Sequence, residues 1–549
     1  MQPRAQRPEE EIPLMIVGGN EYGRFPKISD AQTFNMVISD NWLVPYAGYK
    51  KVLQITTRDF VGRAIYTSTR GGFMIAVIGN TVYKIQGTIT SLNAQAIFDL
   101  NTYTGDVFID ENNASQICIA DGQNLWVYNW FLNTIEAATL PINTQTGLQI
   151  KPGYVTFHDT YIIVPDLDSS YWYLSAPNDA LNWLWGAGDV AVAGALQTKP
   201  DNSVAVLRAP GKGSLIYVFG ENVTEMWNDV GAQLFPYQRN NSTSIDFGCL
   251  SPSTIAAMGE QVIFLGINER SGPVIISCTG SNVKEISTDG IDYKLERLVN
   301  PAQSYAFFYK EAGHTYYQLT FTDPADNISF LYDVDMDKFF TPTDEDLNYH
   351  PAERVAFFNN TYYFVSLNDG NLYELSYAYT NYDYTDPSTI APNPNTPDVK
   401  TIPRIRICPP LRKSDNSRFV STTLSFPIEQ GQDTYFKKNL LSYITTEDGL
   451  IITEEAQPGY VGAGLGFEYT LNPYMPRIDI SVSRDGAESF TGYLGLEMNP
   501  LGKRKNRVMF NNLGEANDLT CQFRFYSLSR MEAANGVMEI RKNEVEVRQ

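Results

Sequence analysis

Residues able to do chemistry are few in this chain, and their spacings fit no reaction. Only three histidines occur, His158, His314 and His350, and none sits in a catalytic-histidine context. Ile16-Val-Gly-Gly19 has the letters of an activated trypsin-like N-terminus, but no Gly-Asp-Ser-Gly follows to supply a nucleophile. Asp333-Val-Asp-Met-Asp337 has the first half of a calcium-loop spacing. Its sixth position is Lys338 where glycine is needed, and its twelfth is Asp344 in place of glutamate. Alternation with Tyr332, Val334 and Met336 predicts a strand with one acidic, solvated face. Pro210-Gly-Lys-Gly-Ser214 lacks phosphate-loop spacing and reads as a turn before a strand, and Gly462-Ala-Gly-Leu-Gly466 is a lone glycine cluster. Carboxylate pairs for glycoside hydrolysis are not singled out by any spacing among 62 acidic residues. No catalytic, cofactor-binding or metal-binding residue is assigned, and the chain reads as a non-enzyme.

Two further motifs point to architecture and contact. Ser483-Arg-Asp-Gly-Ala-Glu-Ser-Phe490 resembles the Asp-box of sialidase-like propellers, which is a hairpin turn even in enzymes. The densest basic run supplies the candidate partner-contact residues Lys503, Arg504, Lys505 and Arg507, with a solvated turn as the competing reading.

The elements that would position such residues are β-strands. Aromatic content is 13%, with 34 Tyr and 29 Phe, residue types that favour pleated, half-buried surfaces. Gly71-Gly-Phe-Met-Ile-Ala-Val-Ile-Gly-Asn-Thr-Val-Tyr-Lys-Ile85 reads as strand, tight turn, strand. The pattern returns from Gln116, Ser214 and Thr361 with Asp-Gly, Gly-Glu-Asn and Asn-Asp-Gly turns, and in weaker form near Tyr161, Val262 and Tyr316. The mean spacing of about 48 residues is that of four-stranded propeller blades. Each hairpin would be the middle of a blade, after short inner strands such as Ala64–Ser68, Val204–Leu207, Thr254–Met258 and Val355–Phe358. The fold expected is all-β: a β-propeller of six to eight blades, seven preferred, with a C-terminal β-sandwich-like domain. The division read from composition is an N-terminal arm or edge segment (1–45), a propeller (46–380), a Pro/Asn-rich linker (381–400) and a C-terminal β-domain (401–549).

Charge and cysteines bound the setting. The formal net charge is −21; residues 401–549 are neutral, so the first 400 residues carry all of it. An acidic body argues against tight binding of nucleic acid, although DNA could pass without being gripped. Five widely spaced cysteines with no CxxC pair read as buried reduced thiols of a chain assembled in cytosol. No secretory h-region opens the sequence and no run of about 18 apolar residues crosses a membrane.

The order of segments resembles the packaged-DNA stabilisation, or tail-hub (tail nozzle), proteins of short-tailed bacteriophages. Thr33-Phe-Asn-Met-Val-Ile38 and Trp42-Leu-Val-Pro-Tyr-Ala-Gly-Tyr-Lys-Lys51 look like that family's opening segment, and Ala64 to Ile85 is similar to its first blade. Leu215-Ile-Tyr-Val-Phe-Gly-Glu-Asn-Val-Thr-Glu-Met-Trp227 with Phe247-Gly-Cys-Leu-Ser-Pro-Ser-Thr-Ile255 is the most recognisable stretch. The run from Val482 through Lys503–Arg507 to Met538-Glu-Ile-Arg541 also fits, while 380–400 and 430–470 look extended relative to the family. The resemblance implies a structural protein of the virion tail without cofactors, assembled in the host cytoplasm and released by lysis. It implies a homohexameric ring below the portal and adaptor proteins that continues the DNA channel, helps retain packaged DNA and serves DNA ejection. A tail needle or plug and tail fibres or spikes would attach to it, and DNA would pass without sequence-specific binding. The alternative is a propeller-type glycan hydrolase or depolymerase, or a glycan-binding module, which would need convergent arginines or carboxylates on the axial face.

Overall fold

The computed structural model describes residues 10–23, 30–56, 60–89, 91–385, 387, 398–430, 477–498, 505–526 and 531–542. Nearly every element is a strand, and among the described residues no helix is long and apolar enough to cross a membrane. The Gly462–Gly466 cluster, Lys503 and Arg504 lie outside the described residues.

The first repeat shows how the blades are built. Phe73–Ile78 is six consecutive buried apolar residues, so both of its faces must be covered. Alternate side chains divide the work: Phe73, Ile75 and Val77 pack toward Ile117 and Ile119, whereas Met74, Ala76 and Ile78 pack toward Tyr363, Val365 and Leu372. A fully buried side chain of this size contributes about 1.5–3 kcal/mol, so stacking a sheet on each side of this strand stabilises it more than its own turn does. The hairpin therefore stacks between two others like itself.

Seven sheets repeat this plan among the described residues. Blade 1 is Gly62–Ser68, Phe73–Ile78, Thr81–Thr88 and Ser91–Asp99, hydrogen-bonded in that order. Blade 2 runs from Phe108 to Ala137, blade 3 from Thr156 to Ala195, blade 4 from Ser203 to Ile245, blade 5 from Gly248 to Glu285 and blade 6 from Ser304 to Phe340. Blade 7 is Ala352–Phe358, Thr361–Ser366 and Leu372–Ser376. Inner strands of neighbouring blades touch, blade 4 meeting blade 5 through its second strand Leu215–Gly220 against Gly248–Cys249, and the seventh blade touches the first, so the sheets form a closed ring. The seven hairpins recognised by their turns are the central strand pairs of these blades.

Closure uses a strand from outside the repeat. Gly48–Leu53 pairs antiparallel with Leu372–Ser376 and becomes the fourth strand of blade 7, and Asn381–Asp383 and Val399–Thr401 extend the same sheet. Gly48 is required where it sits: a Cβ there would lie 2.6 Å from the Asn381 carbonyl and 2.7 Å from that of Tyr379.

The remaining strands form two sheets over one core. One contains Glu10–Leu14, Gly536–Lys542, Phe419–Gln430, Met531–Ala533, Trp42–Pro45 and Met36–Ser39, with Lys505–Ala516 also paired to Phe419–Gln430. The other contains Gln32–Phe34, Arg404–Ile407, Asp518–Tyr526, Arg477–Ser483 and Leu494–Glu497, with Leu411–Arg412 paired to Asp518–Tyr526. Phe426 of the first meets Phe523 of the second edge to face at 5.2 Å, inside a shared apolar cluster. This is a β-sandwich, and the segment before residue 46 supplies strands to both of its sheets. Buried Arg406 holds that segment: its guanidinium donates to the carbonyl oxygens of Gly19 (3.0 Å) and Met15 (3.4 Å) and to Thr33 Oγ1 (2.8 Å).

Candidate functional site

The first strands of the blades surround the propeller axis, and the charged residues on them are the ones that could act there. At the end where these strands begin, side chains bridge the axis. Buried Arg63 donates five hydrogen bonds, to the carbonyl oxygens of Gly79, Thr102, Thr104 and Gly105 and to Thr102 Oγ1. A fully satisfied guanidinium is a structural clamp, here tying blade 1 to its crossover into blade 2. Ser253 Oγ of blade 5 donates to Asp106 Oδ2 at 2.7 Å, from the far side of the ring. Arg354 of blade 7 lies over the Phe108 ring of blade 2 at 4.7 Å and 3.2 Å from the carboxylate of buried Glu353. Burial outweighs that ion pair and pushes the Glu353 carboxyl up to about 8.

At the other end the first strands finish around a cavity of 680 Å³ shared by blades 2 to 5. Its lining includes Asp110, Tyr154, His158, Asp159, Arg208 and Lys212. Asp110 is occupied internally, accepting from the N–H of Phe157 at 2.7 Å and of Glu111 at 2.9 Å. Burial raises its carboxyl above the ordinary carboxylate range, with those N–H groups acting against the rise. His158 is also occupied: Nδ1 meets Tyr237 Oη at 2.7 Å and Nε2 meets the Gly213 carbonyl at 3.1 Å. A carbonyl only accepts, so Nε2 carries the proton and Nδ1 accepts from the tyrosine. Burial lowers the His158 pKa, so the ring is a neutral brace.

The other histidines are equally committed. His350 is wholly buried against Tyr49 and Phe364, and burial drops its pKa to about 3. His314 Nδ1 lies 2.8 Å from Asp333 Oδ2, and with Asp335 these form a three-residue group. The expected solvated acidic strand face at 333–337 is not what forms. The strand ends at Asp333, whose side chain is fully buried, and 334–337 are a turn. Asp333 Oδ1 accepts from the N–H groups of Asp335 and Met336, so its carboxylate shapes the turn that alternation alone reads as a strand.

The C-terminal motifs resolve unequally. Asp485 accepts from Ser483 Oγ, the N–H groups of Glu488 and Ser489 and Ser489 Oγ, which holds its carboxyl well below the usual range in a self-contained turn. Lys505 and Arg507 both belong to the strand Lys505–Ala516. Arg507 is exposed and donates to Ser425 Oγ at 2.8 Å. All five cysteines are free and buried.

Sequence reasoning missed the axial clamp of Arg63, Asp106, Glu353 and Arg354, because charged residues on short strands look solvated until the ring closes over them. Pro210–Ser214 is the turn before a strand that the sequence predicts, and its residues 210–213 also line the axial cavity, which the sequence did not show.

A family model described as bacteriophage P22 Gp10, beta-propeller, matches residues 23–378. No curated protein matches the chain. Among solved structures it is similar to the extracellular domain described as that of a putative one-component system of B. thetaiotaomicron, at 10% identity and a TM-score of 0.39, over 62% of this chain and 40% of that one. It is also similar to the corresponding domain of a putative hybrid two-component system of the same organism, at 11% identity and a TM-score of 0.37, over 61% of this chain and 43% of that one. The chain thus spans less than half the length of either. With a closed ring of blades in place and most of the chain matched, this protein belongs to the family of the bacteriophage P22 Gp10 β-propeller.

Proposed function

We propose that the protein is the hub, or nozzle, subunit of a short phage tail. In this reading six copies form a ring below the portal and adaptor, continue the DNA channel, help retain packaged DNA and carry the needle or plug and the fibres or spikes. The observation that carries the proposal is the family match over residues 23–378. Residues 46–380 would be the wall unit and 401–549 a docking unit, with the N-terminal segment binding one to the other.

Two physical arguments support the reading. Side chains from blades 2, 5 and 7 meet across the propeller axis, so a duplex would run between subunits and not through a propeller. The net charge of −21 resides in the first 400 residues, and an acidic wall repels phosphates so that DNA slides without sticking. The test is to mix the purified chain with a portal–adaptor complex and image the product by cryo-electron microscopy. A six-fold ring with an acidic lumen is expected. A chain that stays monomeric beside the complex and cleaves glycans would overturn the proposal, and a basic lumen would overturn its electrostatic part.

A further inference from the structure

The axial cavity has a feature that ring assembly does not use. Its volume of 680 Å³ lies in the range of small-molecule sites. Two of its titratable groups, Asp110 and His158, spend their hydrogen bonds inside the protein. Arg208, the last residue of the blade 4 inner strand, is exposed in the lining; its guanidinium makes no hydrogen bond or ion pair among the described residues, although its charge acts on Asp110 in the same lining. Among the described residues, Lys212, four residues on, makes a single long ion pair, to Glu260 at 3.8 Å. Both cations stand on one rim, with the glycine-flanked turn Pro210-Gly-Lys-Gly-Ser214 between blade strands. Asp159, exposed at the tip of the blade 3 turn, is in the same lining, and its carboxylate makes no hydrogen bond or ion pair among the described residues. The lining also includes Ile109, Tyr154, Leu207 and Met258.

A guanidinium fork with no hydrogen bonds of its own and an ammonium in the same lining are suited to a carboxylate or phosphate, and a carboxylate in that lining is suited to hydroxyl donors. The apolar and aromatic residues of the lining are suited to the face of a ring. Local cations in a chain of net charge −21 also make the rim distinct from the surface around it. We propose that the axial cavity binds an acidic monosaccharide or sugar phosphate, with Arg208 and Lys212 on its anionic group and Asp159 on its hydroxyls. The site is independent of the tail-hub reading and would give the propeller a small-molecule ligand of its own.

The test is titration calorimetry on the full chain with four probes: glucuronate, glucose 6-phosphate, glucose and inorganic phosphate. Glucuronate or glucose 6-phosphate should bind, and which of the two is tighter identifies the anionic group. Glucose should bind at least about ten-fold more weakly, because it leaves the guanidinium unmatched. Arg208→Gln should abolish the binding, Lys212→Gln should weaken it, and Arg270→Gln on an exposed hairpin should leave it unchanged. Melting curves check that each variant is folded; if Arg208→Gln is not, Lys212→Gln and Asp159→Asn decide. Equal binding of glucose, binding by a folded Arg208→Gln at the original strength, or inorganic phosphate binding as tightly as glucose 6-phosphate would each overturn the proposal. So would binding of none of the four.

Discussion

Tyr49 and Leu375 are direct partners across blade 7, although one precedes the first blade and the other ends the last. The pairing makes the propeller a ring held shut by backbone hydrogen bonds, since Gly48–Leu53 supplies the strand that Leu372–Ser376 would otherwise lack. Replacing Gly48 with valine places side-chain atoms against the carbonyls of Asn381 and Tyr379. A cost of about 1–3 kcal/mol is expected, as for overpacking elsewhere. Urea unfolding followed by tyrosine and tryptophan fluorescence should show an earlier midpoint, and an unchanged midpoint would mean that the closing strand does not hold the ring shut.

Gly79 opens the two-residue turn of the blade 1 hairpin with φ of +56°, and a Cβ there would lie 2.9 Å from the Phe60 ring. Gly79→Val adds β-branched strain to that clash, so about 2–4 kcal/mol is expected. Gly79→Asn should lose less, because asparagine tolerates positive φ. Soluble yield and melting temperature are the measurements, and the order glycine, asparagine, valine is the expected result.

Glu353 makes stability depend on pH in a direction that can be worked out. Its carboxyl rises from an ordinary 4.5 to about 8 in the folded protein. Between those values the unfolded chain has lost the proton and the folded chain keeps it, so stability falls as pH rises from about 4.5 to 8. The contribution is on the order of a few kcal/mol. Glu353→Gln mimics the protonated side chain and should flatten this part of the profile, leaving the variant the more stable protein at pH 9. Melting temperatures of both proteins from pH 5 to 9 test it; parallel curves would refute it.

Arg406 reaches from the C-terminal sandwich to three partners in the N-terminal segment. Arg406→Met leaves those acceptors buried and unmatched, at about 1–3 kcal/mol each where water cannot replace the donor. Limited proteolysis should then cut between residues 15 and 34 while the propeller survives. Arg406→Lys keeps the charge without the fork and should fall between the two.

Lys505 and Arg507 belong to one strand, and a role in contacting an acidic neighbour is proposed for them. Reversing both to glutamate should slow addition of the chain to the portal–adaptor complex, most strongly at low salt, without shifting its melting temperature. Assembly at the original rate would leave these two residues with no part in docking.

The blades were legible because each is local. Asp121-Gly122 and Gly79-Asn80 announce turns, and Phe73–Ile78 announces a strand buried on both faces, within a dozen residues of sequence. The Asp333–Asp337 turn escapes such reading since alternation is the same for a strand and for a turn whose first aspartate binds the backbone. The axial clamp was invisible because Asp106 and Ser253 acquire meaning only when blades 2 and 5 face each other.

By itself, then, the sequence determined the unit, its period of about 48 residues and the need of every central strand for cover on two faces. Tertiary structure decided how many units close the ring, which distant strand completes the last blade and which charges face the axis. These depend on pairings between residues hundreds of positions apart, such as Gly48 with Ser376. Local propensity carries no information about them, because their stabilisation exists only once the whole ring is formed.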